Sequence, residues 1–120
     1  MSYEEKIIEL LSVIYSRIPW NKIRTSKNPH DVFNHRVRSA SRRGTINEFV
    51  SKLCNYFGLQ SLPVEVYPLL EELKGKDWLL NKVYVEHIPI CLKAIVKAKE
   101  RKKKNIVEEN IEDINKEGEV

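Results

Sequence analysis

Two hydroxyl residues, Ser2 and Thr45, are each followed three positions later by a glutamate, Glu5 and Glu48, at the head of an apolar run. No other feature constrains the fold as tightly. In such a capping box the hydroxyl and the carboxylate satisfy amide groups that the first helical turn leaves unpaired. Behind the first box, Ile7, Leu11, Ile14, Tyr15 and Ile18 recur at helical spacing until Pro19 closes the run. Behind the second, Ile46, Phe49, Val50, Leu53 and Phe57 share one face, and Gly58 stands where a helix stop belongs.

Weaker signals fill the intervals. Asn28 and Pro29 open a helix that carries Phe33, Val37 and Ala40 inward and ends at Gly44. Another starts near Leu62 and Pro63, turns Val66, Leu70 and Leu73 inward and stops at Gly75. Asp77 is placed to cap a short helix through Trp78, Leu79 and Val83, although Val83, Tyr84 and Val85 also fit a brief extended piece. Pro89 suits the first turn of a last helix, with Leu92, Ile95 and Val96 facing the core. Val107, Ile111 and Ile114 keep the helical spacing further on, in a segment read as frayed when alone. The expectation is all-α: a single-domain bundle of five or six helices.

With 120 residues there is material for one core. No apolar run approaches the length of a membrane span, and the start of the chain lacks the features of a secretory signal, so a cytoplasmic protein with no membrane partner is expected. Cys54 and Cys91 lie far apart among apolar residues and read as buried thiols. They belong to no metal-binding spacing, and the separation of His30 and His35 fits solvent or phosphate contact better than a metal.

The net charge of +4 hides a division. Residues 105–120 hold six acids against Lys116 alone, a net of −5, which leaves +9 on residues 1–104. The expected organisation is a basic helical bundle over 1–104 and an acidic, flexible tail over 105–120. Residues 17–43 concentrate the cations. Arg17, Lys22, Arg24, Lys27, Arg36, Arg38, Arg42 and Arg43 face one acid, Asp31, for a net of +7. Arginine dominates there, and its guanidinium grips phosphate in a fork and stacks on bases. His35, Arg38 and Arg42 share a helical face, Arg36 and Arg43 form a second stripe, and Thr45 opens a helix N-terminus beside them, a setting suited to phosphate. Trp20, beyond the stop at Pro19, is expected to lie exposed and to stack on a base. The run over residues 93–104 is lysine-rich and suits long-range attraction. No catalytic constellation or phosphate-cradling glycine loop is present in the sequence, so no catalytic residues, metal or cofactor are expected, beyond ATP or another nucleotide as ligand.

Two segments resemble a known family. Arg42, Arg43, Gly44, Thr45, Ile46, Asn47, Glu48 and Phe49, running on to Leu53, Gly58 and Leu59, are similar to the basic turn and helix of C-terminal helical modules of primases. Ile88, Pro89, Ile90, Cys91, Leu92 and Lys93 resemble a helix start in the C-terminal domain that archaeal and eukaryotic primases carry on their large subunit. With only two cysteines, the four-cysteine iron–sulfur cluster of that domain is beyond this chain, so the resemblance is to cluster-free relatives, including helix-bundle domains of archaeal plasmid primase-polymerases. It implies a non-catalytic module that holds single-stranded DNA template and nucleotides for a separate catalytic primase domain or subunit. Arg42, Arg43 and Thr45 would touch nucleotide or template, with His35, Arg36 and Arg38 beside them. A rival reading from the residues is a helical protein–protein adaptor within a larger nucleoprotein complex.

Overall fold

The computed structural model describes residues 1–118, with side chains for residues 1–102. Six α-helices follow one another: α1 (Tyr3–Arg17), α2 (Pro29–Ala40), α3 (Ile46–Tyr56), α4 (Val66–Glu72), α5 (Leu79–Val85) and α6 (His87–Gly118). A 3-10 turn, Trp20–Lys22, sits between α1 and α2, and no strand occurs among the described residues. No described helix is long and apolar enough to cross a membrane. The architecture is an all-helical, single-domain bundle. The expectation of a flexible tail over 105–120 lies outside the described side chains; the backbone of α6 continues through most of it.

The hydroxyl half of each capping box forms. Ser2 Oγ accepts from the Glu5 amide at 3.1 Å and Thr45 Oγ from the Glu48 amide at 3.2 Å. Asn28 caps α2 through the Asp31 amide at 2.9 Å, with Pro29 in the first turn. The stop of α3 is a Schellman motif: the Leu59 amide reaches the Cys54 carbonyl at 2.9 Å and the Gly58 amide that of Asn55 at 3.2 Å. Gly58 takes a φ of +74°, which a side chain at Cβ would resist.

The core joins α1 to α6 along most of their common length and closes against α2, α3 and the two short helices. Phe33, Phe49, Leu10, Leu11, Ile14 and Val50 are wholly enclosed. Two expectations change here, and one open alternative is settled. Leu92 and Val96 are exposed, because α6 buries Ile90, Cys91, Ala94, Ile95 and Ala98 instead. Ala94 and Ala98 share that buried face with Ile90 and Ile95, where α6 packs against α1 and α2. The carboxylate of Asp77 does not cap α5; it accepts from the Ile46 amide at 2.9 Å and so caps α3 across the bundle. Val83, Tyr84 and Val85 resolve as helix.

Burial pushes the Cys91 thiol up to about 12 and also raises Cys54 and Tyr15. An unfolded cysteine ionises near about 8.5. The folded chain therefore keeps the proton longer, and this stabilisation is complete below the unfolded value and lost as pH rises through the folded one. We expect the stability to fall from about pH 9 upward, at about 1.4 kcal/mol per pH unit for Cys91 until its folded value is reached, and the melting temperature with it. Thermal melts across that range should show a shallower decline for Cys91→Ala; an identical slope would rule out this thiol as a source.

Candidate nucleic-acid interface

Ion pairing divides the cations into two populations. Arg17 is bound to Glu65 at 2.8 Å, Lys97 to Glu9 at 2.8 Å, Lys6 to Glu72 at 3.3 Å and Lys82 to Glu4 at 3.0 Å, and Arg101 also pairs with Glu9. These charges hold helices together. Lys22, Arg24, Lys27, Arg36, Arg38, Arg42 and Arg43 have no carboxylate within 4.0 Å among the described residues. Seven of the unpaired cations thus gather on the loop before α2, on α2 itself and on the turn after it; Lys52, Lys74, Lys76, Lys93, Lys99 and Lys102 also lack a carboxylate within 4.0 Å among the described residues.

Arg24, His35 and Arg36 come together. With Lys27, Thr25 and Ile23 from the loop, Val32 from α2, and Tyr56, Phe57 and Gly58 from the end of α3, they line a cleft of about 630 Å³. Its walls carry three guanidinium or ammonium groups, one imidazole and no carboxylate. The Arg36 guanidinium lies 3.4 Å from the centre of the Tyr56 ring. A guanidinium flat on a ring directs its N–H groups sideways and leaves its other face free, so the same group can fork onto a phosphate or stack beneath a base. Tyr56 falls outside the apolar stripe of α3 and is half exposed, held edge-to-face against Phe57 with ring centres 5.0 Å apart. Neither Tyr56 nor Lys27 stands among the site residues expected from the sequence. An aromatic lying off the stripe of its own helix was the available signal.

The remaining site residues are distributed differently from the expectation. Arg38, three positions after His35 on α2, lies over Tyr84 of α5, 5.1 Å from the ring centre, and Arg42 stands past the end of α2. Arg42 and Arg43 are exposed and, with Ser39 and Lys52, line a separate shallow depression; Lys52 Nζ donates to the Arg43 carbonyl at 3.2 Å. Thr45 caps α3, but carboxylates already crowd the helix head. Asp77 accepts the Ile46 amide, and Glu48 overhangs Gly44, with Oε2 only 2.6 Å from where a Cβ on that glycine would sit. An arriving phosphate would meet negative charge there.

Trp20, expected to be exposed, is half-buried. Its indole Nε1 donates to the Tyr15 carbonyl at 3.1 Å, which also accepts from the Ile18 amide at 3.3 Å at the end of α1. Its rings pack against Tyr15 at 5.0 Å, Phe57 at 5.4 Å and Phe33 at 6.5 Å. Its remaining surface lines a second cleft, of about 530 Å³, with Asn21, Pro29, Lys99 and Lys102 among the other walls. Here the two basic clusters of the sequence meet: Lys99 Nζ lies 3.0 Å from His30 Nε2, and since an ammonium can only donate, that nitrogen is the acceptor. Lys22 is exposed on the 3-10 turn. Among the described residues, no three His, Cys, Asp or Glu side chains gather where they could hold a metal ion.

No protein-family model, curated protein or solved structure matches the chain. The functional reading therefore rests on the residues, the clefts and the resemblance of the two short segments.

Proposed function

We propose that the protein is a nucleic-acid-binding helical module that holds single-stranded DNA and nucleotides through the Arg36/Tyr56 cleft. The observation that carries this is the cleft itself: Arg24, Lys27 and Arg36 converge without a carboxylate among its lining residues, and a stacked arginine–tyrosine pair forms one wall. Phosphates would be gripped by Arg24, Lys27 and Arg36, and a base would stack on the Arg36 plane. Unpaired bases expose the faces that such stacking uses, whereas a duplex hides them, so the cleft favours single strands. Arg42, Arg43 and Lys22 then extend the positive surface along the strand. A role in primer synthesis, with a separate catalytic primase domain as partner, rests on the resemblance of the segments around Arg42 and Ile88. Those segments form the head of α3 and the first turns of α6.

Arg42→Ala combined with Arg43→Ala is expected to weaken binding of a labelled single-stranded oligonucleotide several-fold, through lost phosphate contacts. The melting temperature should barely move, since both side chains are exposed. Unchanged affinity would remove these two residues from the interface. A second reading, a helical adaptor inside a nucleoprotein complex, is supported by the exposed aliphatic row Ile88, Leu92 and Val96 on α6.

A further inference from the structure

We infer that the Trp20 cleft is a second subsite for the same single strand, taking phosphates and a base that lie beyond the Arg36/Tyr56 cleft. The inference rests on the reading of that first cleft as a strand site. The two clefts adjoin. Pro29 lines one and Val32 the other, and these positions lie about one turn apart on α2. Residues 19–21 contribute to one cleft and residues 23–25 to the other, so a single loop walls both, with exposed Lys22 between them. A row of touching rings also joins them: Tyr56 to Phe57 at 5.0 Å and Phe57 to Trp20 at 5.4 Å between centres. Stacked nucleotides advance about 3.4 Å each along a strand, so about three or four of them reach from the Tyr56 platform to Trp20.

The chemistry of the Trp20 cleft suits such a strand. No carboxylate stands among its lining residues, and the part of the indole left outside the core forms one wall. Lys99 and Lys102 line it from α6. That helix divides its cations by use. Lys97 and Arg101 are spent on Glu9 of α1. Lys99 and Lys102 have no acid three or four positions away along the helix, and no carboxylate within 4.0 Å among the described residues. What holds Lys99 is His30, whose Nε2 accepts from Lys99 Nζ at 3.0 Å. An ammonium has three donors, so two remain for phosphate oxygens. An imidazole acceptor fixes the lysine without cancelling its charge, as a carboxylate partner would. Cations beside an aromatic wall repeat the pattern of the first cleft, where Arg24, Lys27 and Arg36 accompany Tyr56. Alternation of positive charge with stacking surface is what a groove tracking an unpaired strand requires.

Anisotropy of a labelled single strand of about 12 nucleotides, long enough to occupy both clefts, tests it across a salt series. Each phosphate contact on a single strand contributes about −0.7 to the slope of log K against log salt. Lys99→Ala combined with Lys102→Ala is therefore expected to make the slope shallower by about 1.4. The far-UV circular dichroism should not change, since both side chains are exposed. Lys74→Ala combined with Lys93→Ala also removes two exposed lysines, but from neither cleft, and should leave the slope as it is. An unchanged slope in the first variant, or an equal loss in both, would overturn the second subsite and leave the Arg36/Tyr56 cleft standing. A wild type that binds no strand removes both. In Trp78→Phe, Trp20 is the sole tryptophan, and its emission is expected to fall as unlabelled strand is added. Emission that stays constant to saturation would overturn the placement of a base on Trp20.

Discussion

Arg36→Ala combined with Tyr56→Ala is expected to lower affinity for a single-stranded oligonucleotide by about ten- to a hundred-fold, with little change in folding. Removal of one base–stacking platform costs roughly 1–3 kcal/mol, and each 1.4 kcal/mol is a factor of ten. The double variant also deletes a phosphate fork, which moves the expectation toward the upper end. Stability should suffer little, because Tyr56 is half exposed and an exposed cation–π pair contributes only about 0.5–1 kcal/mol. Arg36→Lys separates the two roles of the guanidinium. Lysine keeps the charge and loses the planar stack, so it should recover the salt-dependent part of the affinity and little of the remainder. Full recovery by lysine would mean that the cleft acts by charge alone.

Phe33→Ala is the substitution with the largest expected effect on stability. Phe33 is wholly enclosed, its ring centre 5.1 Å from that of Tyr15 and 6.1 Å from that of Phe57. Truncating an enclosed phenylalanine costs about 3–5 kcal/mol, against a total of roughly 5–15 kcal/mol for a domain of this kind. A fall in melting temperature of about 15 °C or more by far-UV circular dichroism is expected. Because Phe33 also supports Trp20, which closes α1 through the Tyr15 carbonyl, the loop before α2 should loosen with it. Arg24 and Lys27 reside in that loop, so DNA binding is expected to weaken even at temperatures where the variant stays folded. A melting temperature within a few degrees of wild type would contradict the placement of this aromatic cluster at the centre of the bundle.

The helices that were legible in the sequence are those whose signals are local. A capping residue with a periodic run of large aliphatics marks α1 and α3, and Asn28 with Pro29 marks α2. What could not be read depends on partners distant in the chain. Asp77 looked like a cap for the helix just after it, yet its carboxylate serves Ile46, 31 residues earlier. Leu92 and Val96 are larger and more apolar than Ala94 and Ala98, yet α6 turns them outward and buries the alanines together with Ile90, Cys91 and Ile95. Trp20 stands in a basic stretch beyond a proline, which suggested exposure; the Tyr15 carbonyl at the end of α1 and two phenylalanines draw it inward instead.

The same distinction governs the candidate site. Composition located the positive charge over residues 17–43 but could not say which cations were already paired. Arg17 is, through Glu65, 48 positions away. Helical spacing put Arg36 and Arg38 on different faces of α2 but could not say which of them enters a cleft. Each leans over a different tyrosine, on α3 and α5 respectively, and only Arg36 thereby enters a cleft that it shares with Arg24 and His35.

Fluorescence anisotropy of labelled single-stranded and duplex oligonucleotides, across a salt series and with and without ATP, tests the central claim most directly. The account predicts tighter binding of the single strand, with log K falling against log salt at a slope of about −2 from the three cations of the Arg36/Tyr56 cleft alone, and steeper if Arg42 and Arg43 also touch phosphate. Tighter strand binding in the presence of ATP is expected of a module that holds template and initiating nucleotide together. Absence of binding to either oligonucleotide at low salt would contradict the claim and leave the basic surface as a docking face for protein.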